Sequence, residues 1–246
     1  MRTAVILAGG RGVRLYPSTE EVPKPMLNVG GMPLLERVIG LVREAGIGVV
    51  HMIVGYRQEL IRGYFEDGQR HGLSIRYLEN PYIGIKEKSG LSDALLLMEK
   101  YIDEPFLTIL GDEVYVRGRH RAMVERFDSS PECEAMIGVF SAADPAAIRK
   151  NYSVYVRPDG AVHALVEKPE KVDGALLGCG TYLFRPSVFD ALRRTELSPR
   201  SGRRELADTL RLMADSGKRV SAFEICENYL NINYQEDLRT AEEMLK

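Results

Sequence analysis

A glycine-rich segment with two arginines follows the first apolar run of the chain. Leu7–Leu15 reads LAGGRGVRL, with glycines at Gly9, Gly10 and Gly12. Closely spaced glycines let backbone N–H groups approach a phosphate, and arginines add positive charge and forked donors. A Gly-x-Gly-x-x-Gly pattern is broken at Leu15 and no Gly-Lys-Ser/Thr follows, so the dinucleotide and P-loop motifs are excluded. The segment predicts a phosphate or nucleotide site of another kind.

A lysine between two prolines supplies a further cation. Pro23-Lys24-Pro25 lies ten residues after Arg14. The prolines restrict the backbone and hold the ammonium group at a defined point. Without this lysine, the glycine-rich segment reads equally well as a tight turn with solvated arginines. Its presence favours the phosphate site.

An acidic pair follows a second apolar run. Phe106–Leu110 is succeeded by Gly111, Asp112 and Glu113. Mg²⁺ in proteins typically binds one or two carboxylates and completes its coordination with water and substrate phosphate oxygens. A Gly-Asp pair is also a common turn, and the dipeptide alone favours this structural interpretation. We predict Asp112 as the principal metal ligand.

The elements that must position these residues alternate between strands and helices. Near-continuous apolar runs predict buried strands at Thr3–Ala8, Val49–Val54, Phe106–Leu110 and Ala135–Phe140, and a further strand is expected near Ser74–Leu78. Helical periodicity lies between them, around Leu34–Ala45, Leu60–Phe65 and Leu91–Tyr101. The alternation predicts an α/β fold with a Rossmann-like, mostly parallel sheet and helices on both faces. The carboxyl edge of such a sheet is where ligands usually bind.

The pattern changes near residue 141. Tyr152–Arg157, a Pro158-Asp159-Gly160 turn and Ala161–Glu167 predict a β-hairpin, which we interpret as a small β cap over the sheet. The remaining predicted elements are a strand at Leu176–Phe184, helices at Ser187–Arg194 and Arg203–Asp215, a strand at Arg219–Ile225 and a helix at Gln235–Leu245. We predict one domain spanning residues 1–246.

Composition excludes several classes of partner. The 246 residues carry 33 basic and 35 acidic side chains without a basic block, and the net charge of −2 argues against nucleic acid. No apolar run approaches the roughly 20 residues that a membrane helix needs, so we expect no membrane association and a cytoplasmic protein. Cys133, Cys179 and Cys226 lack Cys-x-x-Cys spacing and are predicted to be small buried residues.

The segment LAGGRGVRLYPSTEEVPKPML resembles the signature of the sugar-nucleotide pyrophosphorylases, the nucleotidyltransferase family that includes glucose-1-phosphate thymidylyltransferases. That signature reads L-A-G-G-x-G-T-R-L-x-P-x-T followed by P-K-P, and Val13 stands at its usual threonine. The resemblance implies Mg²⁺-dependent transfer of a nucleoside monophosphate from a nucleoside triphosphate to a sugar 1-phosphate, with release of pyrophosphate. It implies a nucleotide-binding half at about 1–140 and an acceptor-binding half at about 141–246.

The resemblance also assigns roles at the nucleotide. Arg14 clamps the pyrophosphate, Lys24 bridges toward the reacting phosphates, and Asp112 holds Mg²⁺. The second metal ligand is Asn231, as in relatives with aspartate there, or Asn233, as in relatives with asparagine; alternatively, Asn233 is a helix N-cap. The residues implied to contact the nucleotide are Ala8, Gly9, Gly10, Gly12, Gly90, Ser92, Asp93 and Gly111.

One of these contacts bears on the base. Gly90-Leu91-Ser92-Asp93-Ala94 resembles the Gly-Leu-Ala-Gln-Ala of thymidylyltransferases, in which the glutamine faces the base. Asp93 would replace an amide by an acceptor-only carboxylate, which suits an amino-bearing base such as cytosine or guanine. The alternative is that Ser92 or Asp93 merely begins a helix.

The acceptor site is implied by the triplet Glu167-Lys168-Pro169. By resemblance, Lys168 meets the sugar phosphate and Glu167 a sugar hydroxyl. Gly180 and Tyr182 belong to the same site, with Gly180 beneath the sugar, where a side chain would obstruct it. Taken alone, Glu167 and Lys168 are a solvated charge pair before a proline.

Three other functions remain open from the sequence. Phosphocholine or another phosphorylated alcohol would make the chain a cytidylyltransferase. Val13 and the two asparagines are compatible with a regulatory subunit that binds a nucleotide sugar without turning it over. A glycosyltransferase would usually show Asp-x-Asp, and Asp112-Glu113-Val114 does not. Whether the chain forms a homo-oligomer is also open.

Overall fold

A computed structural model describes residues 1–172, 174 and 176–246. The strands are β1 (Thr3–Ala8), β2 (Asn28–Val29), β3 (Met32–Pro33), β4 (Val49–Val54), β5 (Ser74–Glu79), β6 (Phe106–Leu110), β7 (Glu113–Val116), β8 (Cys133–Phe140), β9 (Tyr152–Val156), β10 (Val162–Glu167), β11 (Leu176–Phe184), β12 (Arg219–Glu224) and β13 (Asn228–Asn231). The α-helices are α1 (Leu34–Glu44), α2 (Gln58–Phe65), α3 (Leu91–Leu96), α4 (His120–Asp128), α5 (Pro145–Lys150), α6 (Val188–Arg194), α7 (Leu206–Asp215) and α8 (Gln235–Met244).

The central sheet is mostly parallel, as predicted. Strands β5, β4, β1 and β6 lie side by side and parallel. Strand β11 is antiparallel to β6, and β8 and then β12 continue the sheet beyond it. Since β1 and β6 are adjacent, with Leu7 opposite Leu110, the glycine-rich segment and Asp112 leave the sheet at the same carboxyl edge. The topology therefore brings together two segments about a hundred residues apart.

Helices cover both faces of the sheet. Along β1, alternate side chains enter two separate cores, Ala4 and Ile6 on one face and Val5 and Leu7 on the other. The first face packs against α1, α2 and α4, and the second against α3, α6 and α7. The α/β fold class predicted from the alternation of apolar runs is confirmed.

The hairpin of the second half is part of the central sheet. Its strand β9 pairs with Leu176–Gly178 of β11, whereas Thr181–Phe184 of the same strand pair with β6. The hairpin therefore extends the sheet past the carboxyl end of β6, and it is not a separate layer laid over the sheet. This placement makes it a wall at the edge where the ligand residues converge.

Some elements were absent from the sequence prediction. Strands β7 and β13 form a two-stranded sheet in which Asn231 pairs with Glu113. Helix α4 was also missed, and α3 ends at Leu96, earlier than its apolar pattern indicates. The cysteines are buried and free, as predicted. In the described residues no helix is long and apolar enough to span a membrane.

Candidate active site

A cleft of about 250 Å³ opens at the carboxyl edge of β1 and β6. Its polar lining comes from both halves of the chain. These residues are Arg14, Lys24, Asp112, Glu113, Lys150, Asn151, Tyr152, Glu167, Lys168, Tyr182, Glu205, Tyr229, Asn231 and Asn233. Cations and carboxylates are therefore mixed within one cavity. Such a lining suits a ligand that carries both phosphates and hydroxyl groups.

Lys24 and Asp112 form an ion pair in the cleft. Lys24 Nζ lies 2.5 Å from Asp112 Oδ2, and the lysine is buried although its head reaches the cavity. Lys24 begins a short 3₁₀ turn whose N-cap is Pro23. The sequence prediction that prolines fix this lysine agrees with the backbone, and the pair joins two of the three predicted catalytic residues.

The glycines of the first loop differ in what confines them. Gly12 has a φ of +68°, and a Cβ there would lie 2.9 Å from Lys24 Cβ. Gly12 is thus required by the turn and by the close approach of the lysine stem. Gly10 is exposed, and no described atom lies within 4 Å of where its Cβ would be. Open backbone at this point is available to a phosphate.

Arg14 and the two asparagines lie in the same cleft as Asp112. Arg14 Nη2 donates to Asn233 Oδ1 at 2.7 Å. Asn231 Nδ2 points toward Glu113 and Asn151, while Asn231 Oδ1 is buried and has no hydrogen-bond partner among the described residues. Helix α8 has Tyr234 as its N-cap, so the alternative that made Asn233 the cap is wrong.

The donor set fits Mg²⁺. Asp112 lines the cavity and carries a carboxylate, and Asn231 lines it as well and carries a buried amide oxygen without a hydrogen-bond partner among the described residues. Asn233 is less available, because its oxygen already accepts from Arg14. Between the two predicted second ligands, the hydrogen bonding favours Asn231.

Glu113 is a buried carboxylate at the floor of the cleft. It accepts hydrogen bonds from Tyr115, Tyr229 and the backbone N–H of Gly180. Burial, and next the charge of Asp112, raise the pKa of Glu113 to about 7, while these hydrogen bonds oppose the rise. Glu113 had been noted in the sequence only as the neighbour of Asp112.

One wall of the cleft, with Glu167, Lys168 and Glu205, is where the acceptor is predicted to bind, and we call it the acceptor wall. Glu167 and Glu205 both line the cleft, and Arg200 Nη2 lies 3.3 Å from Glu167 Oε1. Burial, followed by the nearby charge of Glu205, raises the pKa of Glu167 to about 7, and Arg200 and Lys168 lower it. Lys168 is exposed and has a φ of +46°, a strained value for a non-glycine residue. This backbone turn places Glu167 and Lys168 together on the cavity.

Glycines in β11 make room for buried side chains. A Cβ at Gly178 would collide with the ring of Tyr152, and one at Gly180 would collide with the Glu113 carboxylate. Tyr152 and Tyr182 lie buried beside them. The predicted position of Gly180 beneath a sugar stays a prediction, and Glu113 gives an independent reason for glycine there.

The predicted base contact has other partners in the structure. Ser92 and Asp93 lie in the first turn of α3 and are buried. Ser92 Oγ bonds to Thr209 Oγ1, and Asp93 Oδ1 accepts from Arg204 Nη1 at 2.8 Å. Gly90 packs so closely on the Arg204 backbone that a Cβ would collide with its carbonyl. The base contact of Asp93 stays a prediction, with Arg204 as a competing partner.

Several cleft residues were not predicted from sequence as site residues. Lys150 ends α5, Glu205 is the N-cap of α7, and Tyr229 lies in β13. None belongs to a local motif, because each reaches the cleft through the path of its own element. Only the fold could have shown them.

The family model for nucleotidyl transferases matches residues 3–237. The chain belongs to this family. The resemblance drawn from the glycine-rich and Pro-Lys-Pro segments is therefore confirmed, and with it the class of protein. The cations of the cleft, the Asp112 carboxylate and the adjoining wall with Glu167 and Lys168 are consistent with nucleotidyl transfer.

Similar proteins include a UTP–glucose-1-phosphate uridylyltransferase, AglF, from Haloferax volcanii, 33% identical over 99% of this chain and 96% of its own length. A glucose-1-phosphate thymidylyltransferase from Streptomyces antibioticus is 30% identical over 92% of this chain and 61% of its own. The structure of a UDP-glucose pyrophosphorylase complexed with UDP-glucose matches this chain with a TM-score of 0.86, and the match covers 100% of this chain and 98% of the pyrophosphorylase chain. Its 22% identity shows the fold alone.

Proposed function

We propose that this protein transfers a nucleoside monophosphate from a nucleoside triphosphate to a sugar 1-phosphate, with release of pyrophosphate. The observation that carries the proposal is the Lys24–Asp112 pair, which shares one cleft with Arg14 of the glycine-rich segment and with Glu167 and Lys168. Family membership and the names of the relatives agree with it. They do not favour a phosphocholine acceptor or a non-catalytic subunit.

The acceptor needs little activation. The second pKa of a phosphate monoester is near 6, so its oxygen is already an anionic nucleophile at neutral pH. The protein must instead hold two repelling anions in line and neutralise the charge that develops on the leaving pyrophosphate. Positioned cations, and not a general base, are the groups this chemistry demands.

The chain supplies these cations from separate elements. Lys24, held by its prolines, would reach the reacting phosphates, and Arg14 would bind the pyrophosphate. Lys168, on the other wall, would bind the phosphate of the acceptor. Lys150 also lines the cleft, where it would add positive charge on the acceptor side. Glu167 and Glu205 would accept hydrogen bonds from sugar hydroxyls.

We propose Mg²⁺ as the cofactor, bound by Asp112 and Asn231. When bound, the ion would neutralise phosphate charge and orient the triphosphate. Asp112 would hold the ion and Lys24 would add its own positive charge beside it, because the two side chains are adjacent in the free protein. We further expect a cytoplasmic protein, where nucleoside triphosphates and sugar phosphates are available.

The first substrate pair to test is UTP with glucose 1-phosphate. The Haloferax relative that matches nearly the whole chain is named for this pair, and dTTP is the next candidate from the thymidylyltransferase. The carboxylate of Asp93 led us to predict an amino-bearing base. CTP and GTP therefore belong in the same panel.

The test is pyrophosphate release with UTP, dTTP, CTP, GTP and ATP, each against several sugar 1-phosphates and phosphocholine. Each mixture is assayed with Mg²⁺ and with a chelator. Release that requires the metal and one sugar 1-phosphate supports the proposal. Release with phosphocholine alone, or nucleotide binding without any release, would overturn it.

A further inference from the structure

Glu113 occupies a position whose role the proposed reaction leaves unassigned. It follows Asp112, begins β7 and pairs with Asn231 of β13. We propose that Glu113 is a positioning residue that turns the amide oxygen of Asn231 toward the cleft and provides, behind this neutral ligand, the negative charge that a carboxylate ligand would carry. The inference rests on the proposed metal site at Asp112 and Asn231.

Both oxygens of Glu113 are taken up by donors. Oε2 accepts from Tyr115 Oη and, at 2.9 Å, from Gly180 N. Oε1 accepts from Tyr229 Oη at 2.6 Å and from Asn231 Nδ2 at 3.4 Å. In its ionised form, this carboxylate acts purely as an acceptor. Any amide that faces it must therefore present nitrogen.

This requirement fixes the orientation of Asn231. Its Nδ2 faces Glu113 Oε1 and lies 3.5 Å from Asn151 Oδ1, a second acceptor. The amide oxygen is consequently directed away from both, where it is buried and has no partner among the described residues. Asn231 lines the same cavity as Asp112. Carbonyl oxygen in this position is a ligand for a hard cation.

The charge argument is independent of the orientation argument. An amide ligand attracts a divalent cation less strongly than a carboxylate does, because it carries no net charge. Glu113 is only 1% exposed, so solvent screens its charge weakly. A buried carboxylate hydrogen-bonded to the ligand would restore attraction that the asparagine lacks. The same carboxylate excludes a side chain at Gly180, which ties β11 to this arrangement.

The experiment measures Mn²⁺ binding, with Mn²⁺ as a paramagnetic probe of the site. The signal of free Mn²⁺ is recorded by electron paramagnetic resonance for the wild-type chain and for Glu113→Gln, Asn231→Asp and the double variant. Glu104→Gln is the matched control, because Glu104 is a partly buried acceptor bonded to Thr3, at the start of β1. Thermal unfolding establishes that each variant is folded.

We expect E113Q to weaken Mn²⁺ binding about tenfold or more, as loss of a partner hydrogen-bonded to a ligand commonly does. Adding N231D to E113Q should return the affinity to within about threefold of wild type, because the charge moves onto the ligand itself. If Glu113 is merely structural, N231D should raise the affinity by the same factor in wild type and in E113Q, so a larger gain in E113Q identifies the charge role. An E113Q protein with wild-type affinity, or a double variant no better than E113Q, would overturn the inference.

A second variant keeps the inference testable if E113Q does not fold. Asn231→Ala removes the oriented oxygen and should weaken Mn²⁺ binding about tenfold; unchanged affinity would refute the orientation. Failure of the proposed function gives a different result. If the wild-type chain and the variants bind Mn²⁺ as expected but no pyrophosphate is released, the proposed reaction is refuted and the inference stands. If the wild-type chain binds no Mn²⁺, the metal site and this inference are refuted together.

Discussion

The two walls of the cleft differ in how the sequence builds them. The wall predicted to bind the nucleotide, the nucleotide wall, comes from two short segments. One carries Arg14 and Lys24 ten residues apart, and the other carries Asp112 two residues after the end of β6. The acceptor wall draws Lys150, Glu167 and Glu205 from three separate elements. The residues of the nucleotide wall therefore lie in motifs that the sequence shows locally, whereas the residues of the acceptor wall are brought together mainly by the path of the fold. The difference suggests that the nucleotide wall carries the chemistry and the acceptor wall the choice of substrate.

The strongest test of this division is Lys24→Ala. We expect turnover at saturating substrates to fall about 100- to 1000-fold, since one preorganised donor to developing charge typically contributes this much. The fold should remain intact, as judged by thermal unfolding. The readout is the rate of pyrophosphate release.

Lys218→Ala is the matched control. Its ammonium group is partly buried and donates to Ser187 O, outside the cleft. Its turnover should equal that of the wild type. Near-normal turnover of K24A would remove the nucleotide wall from the chemistry.

A pair of glycine substitutions separates structural from ligand-binding constraints. Gly180→Ala should lower the free energy of unfolding by about 3 kcal/mol, because the new methyl group collides with the buried Glu113 carboxylate. Gly10→Ala has no described neighbour and should change stability by less than about 0.5 kcal/mol. Urea unfolding measures both.

For nucleotide binding we expect the opposite order, with a larger effect at Gly10 than at Gly180. G10A should raise the KM for the nucleoside triphosphate, since the open backbone there is predicted to face a phosphate. If G10A binds nucleotide normally, the glycine-rich loop acts only as a turn.

Glu205→Gln tests the role of the acceptor wall in recognition. We expect the KM for the sugar 1-phosphate to rise about tenfold through loss of a charged acceptor, while the KM for the nucleotide stays constant. The exposed Glu196 on the same segment provides the control E196Q, which should leave both constants unchanged. Equal effects of E205Q on both substrates would contradict a division between the walls.

The smallest expected effect concerns stability and pH. The pKa of Glu167 is raised to about 7 from an ordinary 4.5, so between these values the folded chain binds more protons than the unfolded chain. Its contribution to stability is therefore present at low pH and is lost as pH rises toward 7. As the pH rises from 5 to 8, the free energy of unfolding of Glu167→Gln should increase by about 1–2 kcal/mol relative to that of the wild type, as measured by urea unfolding. The exposed Glu170, changed to glutamine, should show no such trend.

Most of the fold was predictable because apolar runs directly report burial. The strands Thr3–Ala8, Val49–Val54, Phe106–Leu110 and Leu176–Phe184 have the bounds that the sequence indicated. Strand β13 was not, since Asn228–Asn231 contains little apolar pattern and owes its conformation to pairing with β7. The β-propensity of a short segment does not depend on strands that pair with it from far away in the sequence, so it cannot predict such pairing.

The same limit applies to the site. Lys24 and Asp112 lie in local motifs, and the structure joins them as an ion pair. Glu113 gave no local signal, because its burial comes from Tyr115, Tyr229 and Gly180, contributed by three strands. Asp93 illustrates the converse case, in which a residue in a recognisable motif meets a partner, Arg204, that lies far away in sequence.

Strand β11 hydrogen-bonds with its first residues to the hairpin and with its last to β6. The spacing between the hairpin and β6, and with it the spacing between the two proposed substrate sites, is consequently set by the length of one strand, at about 3.3 Å per residue. Changes in the Pro158-Asp159-Gly160 turn or in the outer strand β10 would not alter this length. The fold thus allows the residues of the acceptor wall to change while the distance between the two proposed substrate sites stays the same.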